Sequence, residues 1–306
     1  MLHYNGKVGY QVGQRLVYLR TINSENKKTA FQQYTRNIYQ VLCNDMGDEG
    51  MENMLAAIRK LSRHCQVLLL GYGSTFTAME RYLLRKGKER TRGCHVSAII
   101  SSSEYLYDHS RQCLQEAFGC PCVSRYANEE NGFLGQDVSE NNVFVVNSAH
   151  YYYEIFKLDQ DEPADPGEKG RIIVTDLKNY AQPMIRYDTG DVGTLSRDSN
   201  GVQMIREFSG RKIDLLYDTK GRELTGFGVI MWQYAGFIRQ MQIIQTGPTH
   251  YRLRLNGDQI PLDRVRKTLL DFLGQDAVIT IEMVDEIPVL ASGKQRAVVN
   301  EWKASP

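Results

Sequence analysis

From Met51 to about Gly135 the chain switches repeatedly between two hydrophobic rhythms. "MENMLAAIRKLSRH" (51–64), "STFTAMERYLLRKG" (74–87) and "YDHSRQCLQEAFG" (107–119) carry apolar residues at helical spacing. "QVLLLGYG" (66–73), "HVSAIISSSE" (95–104) and "CPCVSRYA" (120–127) are short apolar runs bounded by glycine or small polar residues. Helices alternating with short apolar strands predict a parallel sheet in an α/β layer.

From about Asn141 the rhythm changes. "NNVFVVNSA", "YYYEIFKL", "RIIVTDL", "MIRYDTGD", "VGTLSR" and "VQMIREF" are rich in β-branched and aromatic residues, with no helical segment between them. Asn200-Gly201 is a strong hairpin signal. An antiparallel sheet or small barrel is expected here. After Arg211 a mixed unit follows. "FIRQMQIIQTG" and "HYRLRLNG" read as strands, "PLDRVRKTLLDFLG" as a helix with Leu262, Val265, Leu269 and Phe272 on one face, and "AVITIEMVDE" as another strand. The expected organisation is a partial α/β core over 1–140, an antiparallel β subdomain over 141–210, and a C-terminal α+β lid over 211–306.

Composition narrows the function classes. With 37 Lys and Arg against 36 Asp and Glu, the net charge of +1 gives no reason to expect nucleic acid or an anionic membrane as partner. No run of apolar residues is long enough to span a bilayer, and the N-terminus has no apolar signal-peptide region. Six scattered cysteines read as reduced thiols, so a cytoplasmic setting is expected.

Several near-motifs fail. "GYGSTF" (71–76) has Phe76 where a dinucleotide loop needs its third glycine. "PVLASGKQ" (288–295) lacks the first glycine and the terminal Ser or Thr of a P-loop. No cysteine pair has zinc-ligand spacing, and no G-x-S-x-G nucleophile elbow is present. "RYLLRKGKERTRG" (81–93) carries six basic residues, which suit either a solvated helix end or the docking of a phosphate-bearing substrate such as coenzyme A.

Four further stretches matter by their order. "SRYANEENGFLGQD" (124–137) holds Tyr126 and, four residues on, Glu130. "MIRYDTGD" (184–191) closes on Thr189-Gly190-Asp191. "SGRKIDLL" holds Arg211 and Asp214, and "LASGKQR" holds Lys294. On its own, "MIRYDTGD" is either a tight Asp-containing turn or a carboxylate held rigidly at a strand end. Together the four resemble the adenylate-forming superfamily of acyl-CoA synthetases, amino-acid adenylation domains and luciferase-like enzymes. Within it they resemble the phenylacetate-CoA ligase branch and its capsular-polysaccharide (CapK-type) group. "IISSSEYL" (99–106) fits the same pattern, with Ser103 at a strand end before a glutamate.

The resemblance implies a truncated adenylate-forming ligase core followed by a mobile C-terminal domain. It implies an enzyme that activates a small carboxylic acid with ATP, passing through an acyl-adenylate, with Mg²⁺ and possibly coenzyme A. Asp191 would accept hydrogen bonds from both ribose hydroxyls, the stronger for its charge. Tyr126, Ser103, Thr189 and Arg211 would line the nucleotide, Tyr126 offering its ring to adenine. Glu130 would hold Mg²⁺, with Glu129 its rival in register. Asp214 would be the hinge. Lys294 would neutralise charge between the α-phosphate and the attacking carboxylate.

Three departures stand against this pattern. Residues 1–50 hold no Ser/Thr/Gly-rich loop of the type TSGSTGxP, which in the family wraps the β- and γ-phosphates. Asp188 stands where many relatives have arginine, and Ala127 where they have glycine. The missing loop leaves activity open and predicts a partner chain that supplies it. Two rival readings are a catalytically inactive nucleotide-binding remnant or subunit, and an acyltransferase of the same pathway.

Overall fold

The computed structural model describes residues 2–20, 22, 26–43, 45–211, 216–224, 227–288 and 296–302. A short helix α1 (Leu2–Lys7) leads into β1 (Arg15–Arg20), α2 (Ala30–Arg36), β2 (Ile38–Leu42) and α3 (Asp48–Leu61). Then come β3 (Val67–Tyr72), α4 (Gly73–Lys86), β4 (Val96–Ser102), α5 (Asp108–Phe118) and β5 (Cys122–Asn128). The five strands are parallel, in the order β2-β1-β3-β4-β5. The α/β alternation read from Met51 onward is therefore present. It begins earlier than that reading, because β1 ("RLVYLR") and β2 precede it.

The helices form where the pattern puts them. In α3, Met51, Met54, Leu55 and Ile58 recur at three-and-four spacing and are all buried, with acids in the first turn and bases in the last. α5 stops where Gly119 takes a left-handed conformation. α3, α4 and α5 cover one face of the sheet, packing on Val17, Leu19, Val67, Leu69 and Ile99. The other face gathers Leu68, Ala98, Ile100 and Val123 under Val8, with Leu16 alongside.

The β-rich segment supplies β6 (Gly132–Asp137), β7 (Phe144–Val146), β8 (Tyr151–Phe156), β9 (Gly170–Asp176), β10 (Tyr187–Arg197) and β11 (Gln203–Arg211). These strands pair antiparallel and extend the parallel half into a single 11-stranded sheet, in the order β2-β1-β3-β4-β5-β6-β7-β11-β10-β9-β8. The Asn200-Gly201 signal marks the β10–β11 hairpin, where Asp198 accepts from the N–H groups of Asn200 and Val202 and Arg197 faces Gln203. "MIRYDTGD" and "VGTLSR", read as two strands, lie largely in the one strand β10.

After the sheet come β12 (Leu216–Tyr217), β13 (Glu223–Leu224), α6 (Phe227–Trp232), β14 (Ile238–Gln245), β15 (His250–Gly257), α7 (Leu262–Leu273), β16 (Val278–Met283) and β17 (Val298–Asn300). Four of these strands form a second sheet, β16-β15-β14-β17, whose core of Ile243, Leu253, Leu255, Val265 and Leu269 is separate from those of the large sheet. α7 turns Val265, Leu269 and Leu273 inward. Its buried face is thus rotated from the expected one, and Leu262 is exposed. Arg81 on α4 donates to the Arg239 carbonyl at 2.7 Å, tying this unit to the large sheet. Gly228 lies against Tyr107 so closely that a Cβ there would sit 2.4 Å from the ring.

Candidate functional site

Asp191 is not at a strand end. It lies inside β10, at a bulge. The ladder to β9 pairs Asp188 with Ile173 and resumes at Val192 with Arg171, so β10 advances from 188 to 192 while β9 advances only from 173 to 171. The extra chain is absorbed at Gly190, whose φ of +73° is open to glycine without strain. Side chains lock the kink. Thr189 Oγ1 donates to the Ile172 carbonyl at 2.8 Å and accepts from the Asp191 N–H at 3.2 Å. Asp188 accepts from the Gly190 N–H at 2.9 Å and pairs with Arg171 at 2.5 Å. The departure at position 188 thus gives the bulge its own ion pair. Nothing stands within 4 Å of where a Gly190 side chain would begin, so a ligand can approach the backbone there.

The kink presents Asp191 to Tyr126, whose hydroxyl donates to Asp191 Oδ2 at 2.8 Å. Tyr126 is buried and packs against Phe208, with centroids 4.9 Å apart, and against Phe144 at 6.2 Å. Burial, and next the charge of Asp191, lift this phenol well above its ordinary value. It therefore stays protonated and serves as a fixed donor. Three of the expected nucleotide residues, Tyr126, Thr189 and Asp191, are brought together.

Arg211 stands directly opposite Asp191 in the β10–β11 ladder. Ser103, just past β4, holds a left-handed φ of +68°. It turns the chain so that the Glu104 carboxylate accepts from the Ser74 N–H at 2.6 Å, at the start of α4. Glu130 is exposed on the β5–β6 turn beside Glu129, with no described residue paired to it. Among the described residues no cluster of three metal-type ligands forms. Lys294 and Asp214 lie outside the described residues.

Sequence reasoning missed Phe144 and Phe208, which hold the Tyr126 ring. Both sit in runs that read only as β-rich, and nothing local marks them as neighbours of position 126. The basic stretch 81–93 is heavily paired. Arg85 and Lys86 bind Asp48, Arg90 binds Glu52, and Lys88 binds Glu116. That pairing favours the solvated-face reading of this stretch. Five of the six cysteines are buried, and burial pushes the Cys120 thiol up to about 12. No helix among the described residues is long and apolar enough to cross a membrane.

Comparison with known proteins bears on the fold and the sequence. Residues 216–301 match the CapK C-terminal domain family. The protein CapK of Staphylococcus aureus is 24% identical over 312 residues, covering 98% of this chain and 66% of its own length. A 2-hydroxyisobutyryl-CoA ligase, solved in the postadenylation state with R3-HIB-AMP, overlays with a TM-score of 0.71 at 15% identity, across 98% of this chain and 68% of its own. ATP-bound MatB from Rhodopseudomonas palustris gives 0.61 at 14% identity, and the anthranilate CoA ligase AuaEII with anthranoyl-AMP gives 0.62 at 14%; each covers 96% of this chain and 61% of its own. The chain therefore spans about two thirds of the length of these relatives. The fold is that of the adenylate-forming CoA ligases, and the sequence is similar to CapK, with residues 216–301 matching the CapK C-terminal domain.

Proposed function

We propose that this chain is an adenylate-forming ligase homologue that activates a carboxylic acid with ATP. The observation that carries the reading is the Tyr126–Thr189–Asp191 constellation at the β10 bulge, with Arg211 across the ladder. A carboxylate held by a buried phenol, on backbone fixed by Thr189 and by the β11 ladder, is preorganised to accept two vicinal hydroxyls of a ribose. The open space over Gly190 leaves room for the sugar to come close.

ATP would supply the leaving pyrophosphate that makes acyl transfer favourable. Glu130 is a fitting magnesium ligand, because that ion keeps several waters and needs only one or two carboxylates beside the phosphates. Lys294 would bring an ammonium between the α-phosphate and the attacking carboxylate, with Asp214 as the pivot of the 211–306 lid. The separate hydrophobic core of the C-terminal unit supports its moving as one body. The 2-hydroxyisobutyryl-CoA ligase and the anthranilate CoA ligase support a small organic acid as substrate and coenzyme A as one acceptor, and ATP-bound MatB supports ATP. A place in capsular-polysaccharide synthesis is the further step we propose from the CapK-type motif pattern.

A second reading is nucleotide binding without turnover. Calorimetric titration of AMP and of ATP-Mg²⁺ tests both. AMP binding that Asp191→Ala abolishes is the expected result. ATP binding no tighter than AMP would favour the second reading, and binding of neither would end both.

A further inference from the structure

One side chain of the neighbouring strand spans the bulge in β10. In the β9–β10 ladder Asp188 pairs with Ile173 before the bulge, and Val192 pairs with Arg171 after it. The Arg171 guanidinium nevertheless reaches back to the near end, where Nη1 donates to Asp188 Oδ2 at 2.5 Å. The other oxygen of that carboxylate accepts from the Gly190 N–H at 2.9 Å. Between the two ends, Thr189 Oγ1 donates to the Ile172 carbonyl at 2.8 Å and accepts from the Asp191 N–H at 3.2 Å. Residues 171–173 of β9 thus grip the bulge at both ends and in the middle.

The rest of the Arg171 fork is occupied from the other side. Nε donates to the Lys157 carbonyl at 2.9 Å, and Nη2 donates to the Gln160 carbonyl at 2.9 Å and to Asp161 Oδ1 at 2.7 Å. Three of its four oxygen partners therefore belong to the segment between β8 and β9, and they aim the fork before it meets Asp188. A planar guanidinium has five N–H groups in fixed directions and can serve such a set; an ammonium cannot. The Arg171 side chain is 14% exposed, whereas that of Asp161 is 90% exposed, so the loop acid is the dispensable arm. Fastening the 157–161 loop explains three of the four bonds. It does not explain why an acid stands at 188, where many relatives have arginine, in contact with both this guanidinium and the Gly190 N–H.

We propose that Arg171 is a positioning residue of the nucleotide site: aimed by the β8–β9 loop, it fixes Asp188 and the Gly190 amide, and so sets the direction in which Asp191 meets a ribose. Groups that bind a ligand act well only when the residues behind them hold their geometry, and Arg171 stands behind Asp191 at a remove of two hydrogen-bonded steps. The word nucleotide rests on the ligase reading; the hold on the bulge does not.

The test uses the purified chain and its Arg171→Met, Arg171→Lys, Asp188→Asn and Asp161→Ala variants. Two quantities are read: calorimetric affinities for AMP and 2′,3′-dideoxy-AMP, and hydrogen exchange of the Gly190 and Asp191 amides without nucleotide. Arg171→Met is expected to weaken AMP about tenfold and the dideoxy nucleotide far less, so that the preference for ribose shrinks. Exchange at Gly190 should quicken by about tenfold in the same variant. Arg171→Lys should restore part of both, and it carries the test if Arg171→Met does not fold. Asp188→Asn keeps an oxygen for the Gly190 N–H and should lose less than Arg171→Met. Asp161→Ala should change either quantity by no more than about twofold, as befits an exposed ion pair. Unchanged exchange and ribose preference in the Arg171 variants overturn the inference, and so does an equal loss for the two nucleotides. An Asp161→Ala loss as large as that of Arg171→Met also overturns it, since Arg171 would then serve the loop. If the wild type binds no AMP while Arg171→Met still quickens Gly190 exchange, the ligase reading falls and the hold on the bulge stands.

Discussion

Arg111 and Arg125 are both buried arginines on the α/β half of the molecule, and the chain treats them in opposite ways. Arg111, on α5, is 4% exposed and pairs at 3.0 Å with Asp137, which is fully buried. It also donates to the Cys122 carbonyl and to Asn142 Oδ1. Asp137 in turn accepts from the N–H groups of Ser139, Asn141 and Asn142. The charges are matched within the fold and join α5 to the loop after β6, although Arg111 Nε is buried with no described hydrogen-bond partner. Arg125, on β5, meets only amide oxygens and a ring. The difference between the two is the matched charge: Arg111 has a buried carboxylate as counter-ion, and Arg125 has neutral partners only.

The comparison can be broken most directly at its paired member. Arg111→Met leaves Asp137 buried and uncompensated, and is expected to lower stability by about 3–5 kcal/mol in urea unfolding. Arg125→Met removes a charge without a counter-ion but leaves the buried amide oxygens of Asn5 and Gln136 without their donor, so a smaller loss of about 1–3 kcal/mol is expected in the same measurement. Equal losses would show that the matched charge makes no difference.

The nucleotide site gives the next largest effect. Asp191→Ala is expected to weaken AMP binding by about 10- to 100-fold, the worth of hydrogen bonds to a charged group. Tyr126→Phe keeps the packing on Phe144 and Phe208 and removes only the bond to Asp191, so a loss of about tenfold in AMP affinity is expected. An unchanged affinity would show that the phenol does not orient the carboxylate. Gly190→Ala is smaller again. Its side chain meets nothing, so the expected loss of about 1 kcal/mol in unfolding reflects the φ of +73° alone.

The smallest effect concerns a second paired carboxylate. At Asp218 burial works upward, but the N–H groups of Arg222 and Lys220 and the Arg222 guanidinium outweigh it and hold the carboxyl below its usual range. A depressed folded-state value contributes stability above the unfolded pKa of about 3.9, lost as pH falls through the folded value. Asp218→Asn should therefore flatten the acid side of the melting profile and leave neutral-pH AMP binding as it was.

Much of this fold could be read along the chain because its signals are local. The α/β alternation after Met51, the β-rich run after Asn141 and the hairpin at Asn200-Gly201 each depend on residues within a few positions of one another. β1 was harder to read, since "RLVYLR" carries arginines that rest on aromatic rings at either end. The site divides in the same way. Thr189, Gly190 and Asp191 are adjacent and legible, whereas the kink that aims them depends on where β9 happens to pair. The Tyr126–Asp191 bond spans 65 positions, and the Arg111–Asp137 pair joins two elements that no spacing rule connects.

The bulge in β10 also sets which changes of sequence this site can tolerate. Substitutions at Asp188 loosen the kink but leave its length as it is, and the ladder on either side keeps Asp191 in register opposite Arg211. Loss or gain of a single residue between 188 and 192 is a different matter. Side chains alternate along a strand, so one step would turn the carboxylate to the other side of the sheet and offer Tyr126 a glycine or a valine instead. Lineages that inherit this strand can therefore vary its letters far more readily than its count.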